Sequence, residues 1–154
     1  MIRLATKRDL PRINELRMQV NDVHVSGRPD IFKPGFCEAL ALRAQEFLDS
    51  EERAVVLCER EGCVAGFAML AYISRPEGPY SLERRYLHVD EIGVDRAFRR
   101  RGVGRELMDY IREDARRHGL ARIELDVWAF NEGAQAFYEE LGFSPYRIYM
   151  ESGV

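Results

Sequence analysis

The chain has 154 residues, 46% of them hydrophobic and 32% charged, with a formal net charge of −3, which suits one domain around one substantial core and leaves little room for two. No apolar run approaches the length of a membrane span; Cys37, Cys58 and Cys63 lack Cys-x-x-Cys spacing, and His24, His88 and His118 stand singly, which argues against a disulfide framework and against a metal site. Met1 to Leu4 enters patterned sequence without the apolar core of a signal peptide, so the expected location is cytoplasmic.

Ile2 to Ala5 reads as a short strand, and Thr6 with Asp9 forms a capping-box start for a helix that turns Leu10, Ile13, Leu16 and Val20 inward. Gly27, Pro29, Pro34 and Gly35 make Asn21 to Gly35 a loop, although it carries His24, Ile31 and Phe32; packing on the core is the first explanation and a pocket edge the second. Phe36 to Ser50, with Leu40, Ala44, Phe47 and Leu48 at helical spacing, predicts a second amphipathic helix.

Arg53 to Arg60 and Val64 to Ser74 read as strands joined by a hairpin at Glu61-Gly62. Pro76, Gly78 and Pro79 break Arg75 to Arg85 into a loop placed to overhang a site, and Tyr86 to Val94 is strand again. A helix follows from Gly102 to His118, stopped by Gly119. Ala121 to Trp128 alternates as a strand, Asn131 caps a helix through Tyr138 and Leu141 that ends at Gly142, and Phe143 onward, with Tyr146, Ile148 and Met150, reads as a terminal strand. No repeat or linker divides residues 1–154, so a single domain is expected.

The stretch Val94 to Arg105 carries the chemistry. Five arginines and no acid lie between Arg96 and Arg105, in a chain whose net charge is negative, so this positive charge is local. Gly102 and Gly104 remove side chains where backbone N–H groups face a ligand, and the helix that follows adds its own free amides and dipole. Arg99, Arg100, Arg101, Gly102, Val103, Gly104 and Arg105 thus read as a phosphate cradle, against the plainer reading of a helix start with solvated arginines. Gly102-Val103-Gly104 lacks the third glycine of a dinucleotide fingerprint and no P-loop is present.

The order of these motifs resembles the GNAT superfamily of acyl-CoA-dependent N-acetyltransferases over nearly the whole chain. Arg99, Gly102 and Gly104 match its phosphate-binding signature, with Val94 and Phe98 where the family usually has valine and an aromatic residue. Asn131, Ala134, Phe137, Tyr138, Gly142 and Phe143 match a second signature, and Arg3-Leu4-Ala5-Thr6 with Asp9-Leu10-Pro11 is similar to the family's usual start. Two departures are Arg96 where proline is frequent and Arg100 where glycine is frequent. The resemblance implies an α/β (α+β) fold: a mixed, mostly antiparallel central sheet of six to seven strands flanked by about four helices, with a splay between the two central strands.

It also implies acetyl-CoA as cosubstrate, lying between the strand that ends at Val94 and the strand from Ile123 to Trp128. The pantetheine arm would bond to the backbone at Ile92 and Val94, the pyrophosphate to the amides from Arg99 to Arg105, and Asn131 would hold the pantetheine end. Tyr138 matches the family's general acid, a role that a phenol, neutral at working pH, suits. For the base, Glu91 and Asp90 are candidates and His88 a third; alternation places His88, Asp90, Ile92 and Val94 on one strand face and Glu91 on the other, with a bulge near Gly93 able to re-aim either acid. Salt bridges to neighbouring arginines are the plainer use of these groups.

The function implied is acetyl transfer to a primary amine of a small molecule or peptide, the acids at Asp90 and Glu91 favouring a cationic acceptor. A non-catalytic acyl-CoA-binding regulatory module is the alternative. A nucleic-acid binder is the weakest reading because no basic stripe extends beyond the turn, and neither nucleic acid nor membrane is expected as a partner. A covalent acetyl-cysteine route is set aside, Trp128 and Phe130 are read as packing before stacking on a substrate, and homodimerisation stays open.

Overall fold

A computed structural model describes all residues, 1–154. The opening capping box forms: Asp9 Oδ2 accepts from the Thr6 amide at 2.7 Å, and the carboxylate is also gripped by both terminal nitrogens of Arg3 at 2.8 and 2.9 Å. A single 3-10 turn then leads into α1 (Leu10–Gly27), which runs past the expected stop at Asn21. Nothing between Asn21 and Ser26 disfavours a helix; Pro29 is the first residue that forces the chain out of it. After α2 (Glu38–Leu48) come β2 (Arg53–Arg60), β3 (Cys63–Arg75) and β4 (Arg84–Val94), with β1 (Ile2–Leu4) ahead of them in sequence. Glu61 and Gly62, at φ 53° and 75°, make the tight β2–β3 turn. The chain closes with α3 (Val103–Arg117), β5 (Ile123–Leu125) and α4 (Glu132–Glu140).

The strands form one sheet in the order β1-β2-β3-β4-β5, antiparallel except for the parallel β4–β5 pair. Helices cover both faces, so successive strand residues enter different cores and the central strands read as unbroken apolar runs. Val56, Cys58, Ala68, Leu70, Leu87 and Val89 pack with Val103, Leu107, Met108 and Ile111 of α3. Val55, Leu57, Phe67 and Met69 pack with Ile13 and Leu16 of α1 and with Ala44 and Phe47 of α2. Each fully buried Leu, Ile or Phe in these layers contributes about 1.5–3 kcal/mol. Cys58 lies in the core and Cys37 and Cys63 are exposed, all as free thiols.

One irregularity positions the site. Met69 faces Glu91 while Leu70 faces Val89, so Asp90 is an extra residue in β4, three positions before the bulge expected near Gly93. Leu87 and Val89 before it, and Ile92 and Val94 after it, all meet the α3 core. The expected single face of His88, Asp90, Ile92 and Val94 is therefore split: His88, flanked by Leu87 and Val89, points away from that core. The bulge also ends the β4–β5 ladder, whose last pair is Val89 with Leu125. Beyond it, Asp126 to Trp128, expected as strand, diverges from β4 and leaves a splay.

The sheet has five strands, not six to seven, because the chain after Phe143 forms none. Pro145 interrupts that stretch, and Ile148, Tyr149 and Met150 are exposed rather than alternating against a face. Its moorings are side chains: Tyr146 OH donates to Glu124 Oε2 at 2.8 Å, and Glu151 pairs with Arg28 at 2.8 Å. No helix is long and apolar enough to cross a membrane.

Candidate active site

A cleft of about 700 Å³ occupies the splay. Its floor is β4 from Val89 to Val94, its far wall Leu125 to Trp128, and its ends are the arginine turn and α4, with Val20, Val23 and His24 of α1 along the rim.

The turn is moored to α1. Asp95 accepts from the Ala97 amide at 2.8 Å, from Arg12 at 2.5 Å and from Gln19 at 3.3 Å. Burial opposes ionisation of Asp95, but these donors outweigh it and hold the carboxyl below its ordinary range. Arg96 continues the mooring, its amide donating to Gln19 and its guanidinium to Asp22. The departure from proline at this position thus has a structural use. With the turn fixed from outside, none of the backbone N–H groups from Arg99 to Arg105 donates to a backbone acceptor, and they crowd the mouth of α3. Gly102 sits at φ 81°, where a Cβ would be strained but would meet nothing; at Gly104 a Cβ would lie 3.2 Å from the Phe137 ring of α4, which would have to give way slightly. Arg100 adopts φ 61°, left-handed backbone that explains why glycine is frequent at this place.

Arg99, Arg100, Gly102, Val103, Gly104, Arg105, Ile92, Val94 and Asn131 all line the cleft. Arg99 Nε donates to the Val94 carbonyl at 3.3 Å, and Arg105 pairs with Glu140. Arg101 does not line it: its guanidinium lies over the Phe98 ring and reaches Glu61 at 3.8 Å. Asn131 caps α4 through Oδ1, which accepts from the Ala134 amide at 3.2 Å. That cap sets the first turn of a helix that brings Tyr138 to the cleft, between Phe137 and Phe143 with ring centroids 5.3 and 5.7 Å away. Burial pushes the Tyr138 phenol up to about 12.

Both acids of the bulge reach the cleft, and both carry an arginine. Arg43 of α2 holds the two Asp90 oxygens at 2.9 and 2.8 Å. Arg17 of α1 donates from Nε to Glu91 Oε2 at 2.9 Å, and its guanidinium also bonds to the Leu40 carbonyl and lies over Phe36. Burial pushes the Glu91 carboxyl up, and Arg17 offsets only part of the rise. His88 is not among the cleft residues, nor is any residue of the Arg75 to Arg85 connection that was expected to overhang a site.

The sequence gives His24 a pocket edge only as a second explanation, and gives no site role to Arg17, which holds Glu91, or to Asp126 on the cleft wall. His24 falls on the unexpected last turns of α1; it stacks on Phe32 at 4.9 Å, and burial pushes its imidazole down. Phe32 meets Trp128 edge-on at 5.1 Å, and Trp128 lies 6.2 Å from Phe130. These rings pack on one another, as expected for Trp128 and Phe130, and still leave Trp128 on the cleft wall. Arg17 was legible only as a polar residue inside an apolar helix face, and Asp126 carried no signal.

A sequence profile described as acetyltransferase (GNAT) family matches residues 19–143. Among curated proteins, the chain is 30% identical to a mycothiol acetyltransferase of Beutenbergia cavernae over 128 residues, 75% of this chain and 43% of that one. It is 40% identical over 53 residues to the [ribosomal protein bS18]-alanine N-acetyltransferase of Escherichia coli, 34% of this chain and 36% of that one. The match thus spans less than half the length of either relative. Among solved structures, a mutant of the BH1408 protein from Bacillus halodurans superposes with a TM-score of 0.95 at 29% identity, covering 100% of this chain and 99% of that one. The aminoglycoside N-acetyltransferase AAC(6')-Iy, solved with a CoA-linked bisubstrate analogue, shares the fold with a TM-score of 0.77 at 21% identity, covering 100% and 97%.

Proposed function

The chain belongs to the GNAT acetyltransferase family, and from that premise we propose that it moves an acetyl group from acetyl-CoA to a primary amine of a small molecule or peptide by direct attack. The observation that carries this reading is continuity: one cleft joins the unbonded amides of Arg99 to Arg105 to the buried phenol of Tyr138 and to Glu91. The amide run, the two glycines and the arginines suit a pyrophosphate, and the open edge of β4 at Ile92 and Val94 suits an amide-bearing arm laid along it. These are the residues that would hold the cosubstrate, with Asn131 at the end of the arm.

Glu91 is the better placed base. Both Asp90 oxygens are engaged by Arg43, whereas Glu91 is a carboxylate whose raised pKa brings it closer to the working pH of a general base. In the step, the free amine attacks the thioester carbonyl, a C–N bond forms and the C–S bond breaks. The proton lost from the amine passes to Glu91, directly or through water, and the departing thiolate takes a proton from Tyr138. The relatives' names pair acetyl transfer with mycothiol in one case and a ribosomal-protein alanine in the other, so they point this chain to no single acceptor.

The test follows thiol release from acetyl-CoA with a panel of primary amines, for the parent and for Tyr138→Phe. Turnover with at least one amine, sharply reduced in the variant, is the expected result. Measurable CoA binding without turnover on the panel would favour the non-catalytic binding module.

A further inference from the structure

The charge inside the cleft is less negative than its composition suggests. Four carboxylates line it, Asp90, Glu91, Asp126 and Glu140, and three are neutralised by arginines of the same chain: Arg43 on Asp90, Arg17 on Glu91 and Arg105 on Glu140. Asp126 has neither an ion-pair nor a hydrogen-bond partner. It stands in the first residues beyond the β4–β5 ladder, across the splay from the bulge, and two residues later comes Trp128. Trp128 meets Phe32 edge-on, stacks with Phe130 and remains 37% exposed, on the wall of the same cleft.

An exposed, unpaired carboxylate and an indole two residues on, both lining one wall of the cleft, can together attract a cation, because a carboxylate supplies charge and an aromatic ring an electron-rich face. Asp90 and Glu91, whose charge is already balanced, cannot select a cationic acceptor in the way their residue type suggested. We propose that Asp126, with Trp128, binds a second cationic group of the acceptor, so that the preferred substrate is a diamine or a longer polycation in which one amine reacts while another is anchored across the splay. This rests on the acetyl-transfer reading for the reacting amine, while the cation site itself can be tested without turnover.

Trp128 is the only tryptophan in the chain, so its fluorescence reports on this wall alone. With CoA present, butane-1,4-diamine and butylamine would be titrated against the parent, Asp126→Asn, Asp126→Glu and Trp128→Phe, the last followed by calorimetry, with far-UV circular dichroism confirming the fold. The parent should bind the diamine at least tenfold more tightly than the monoamine. Asp126→Asn should erase about tenfold of that preference, Asp126→Glu should restore part of it, and Trp128→Phe should weaken it. Equal affinity of the parent for the two amines, or an unchanged preference in Asp126→Asn, would overturn the proposal. Thiol release from acetyl-CoA, measured in parallel, separates the two ideas: saturable diamine binding lost in Asp126→Asn but no acetylation of any amine supports the cation site and counts against acetyl transfer.

Discussion

Arg17 donates from Nε to Glu91 Oε2 at 2.9 Å with only 4% of the arginine side chain exposed, so the acid proposed as base depends on a cation from a different layer of the fold. Arg17→Gln removes that cation and leaves Glu91 buried. Its carboxyl, already raised by burial, rises further, and because a base must be ionised, activity is lost at a higher pH on the acid side. The acid limb of the kcat/KM profile should move up by about one pH unit, a typical effect of removing one close opposite charge. Stability at pH 7 should fall by about 3 kcal/mol. A carboxyl whose folded pKa is raised stabilises the fold below its unfolded pKa and loses that contribution as pH rises through the folded value. Part of the loss should therefore be recovered on going from pH 7 to about pH 4.5, the ordinary range of a glutamate. Urea unfolding at the two pH values checks the sign.

The Tyr138 phenol, held at about 12, keeps its proton throughout the working range. Tyr138→Phe should lower kcat by about 10²-fold, the usual scale for a general acid, with a smaller change in CoA affinity. The basic limb of the parent profile should not carry the tyrosine's pKa below about pH 10, well under the shifted value. Steady-state rates from pH 6 to 10 are the measurement.

Gly102 and Gly104 share a motif but serve different needs. Gly102→Val places a β-branched residue at φ 81°, into open space, at a backbone cost of about 1–2 kcal/mol, and turns the amide cradle out of line. CoA affinity should fall at least tenfold, about 1.4 kcal/mol, with the fold retained. Gly104→Val should instead push against Phe137 and loosen α4, lowering the melting temperature more than Gly102→Val does. Calorimetric CoA titration and thermal melts separate the two.

Arg100 holds left-handed backbone at φ 61° without being glycine. Arg100→Gly should raise stability by about 0.5 kcal/mol, the strain relieved less the entropy glycine loses on folding. It should also weaken CoA binding a few-fold through loss of a nearby cation, and that loss should shrink in high salt. Melts paired with CoA titrations at 50 and 500 mM salt test both halves.

Much of the fold and part of the site were legible in order along the chain. The hairpin at Glu61-Gly62, the helix after Gly102, the Asn131 cap and the arginine-glycine turn are local: each depends on residues within a few positions of one another, so propensity and spacing suffice. What was misread depends on distant partners. The extra turns of α1 were hidden because Gly27 and Pro29 look like a loop from within, although Val20 and Val23 have a cleft to line. The terminal strand was expected from alternation, which cannot say whether an edge is there to receive it. A β4 bulge was expected near Gly93 only through the family resemblance, and its true place at Asp90 has no mark in the sequence, since an extra residue exists only relative to the partner strand.

The sequence by itself determined the arginine-glycine turn and the phenol on α4, because glycines, arginines and caps act through their own backbone. Only the tertiary structure decided what the acids do. The bulge at Asp90 turns Glu91 toward α1 and opens the splay, arginines from α1, α2 and α3 neutralise three of the four carboxylates, and Asp126 is left unpaired. Charge pairing works through space across tens of residues of chain, and no pattern along the sequence encodes which carboxylate is left without a cation.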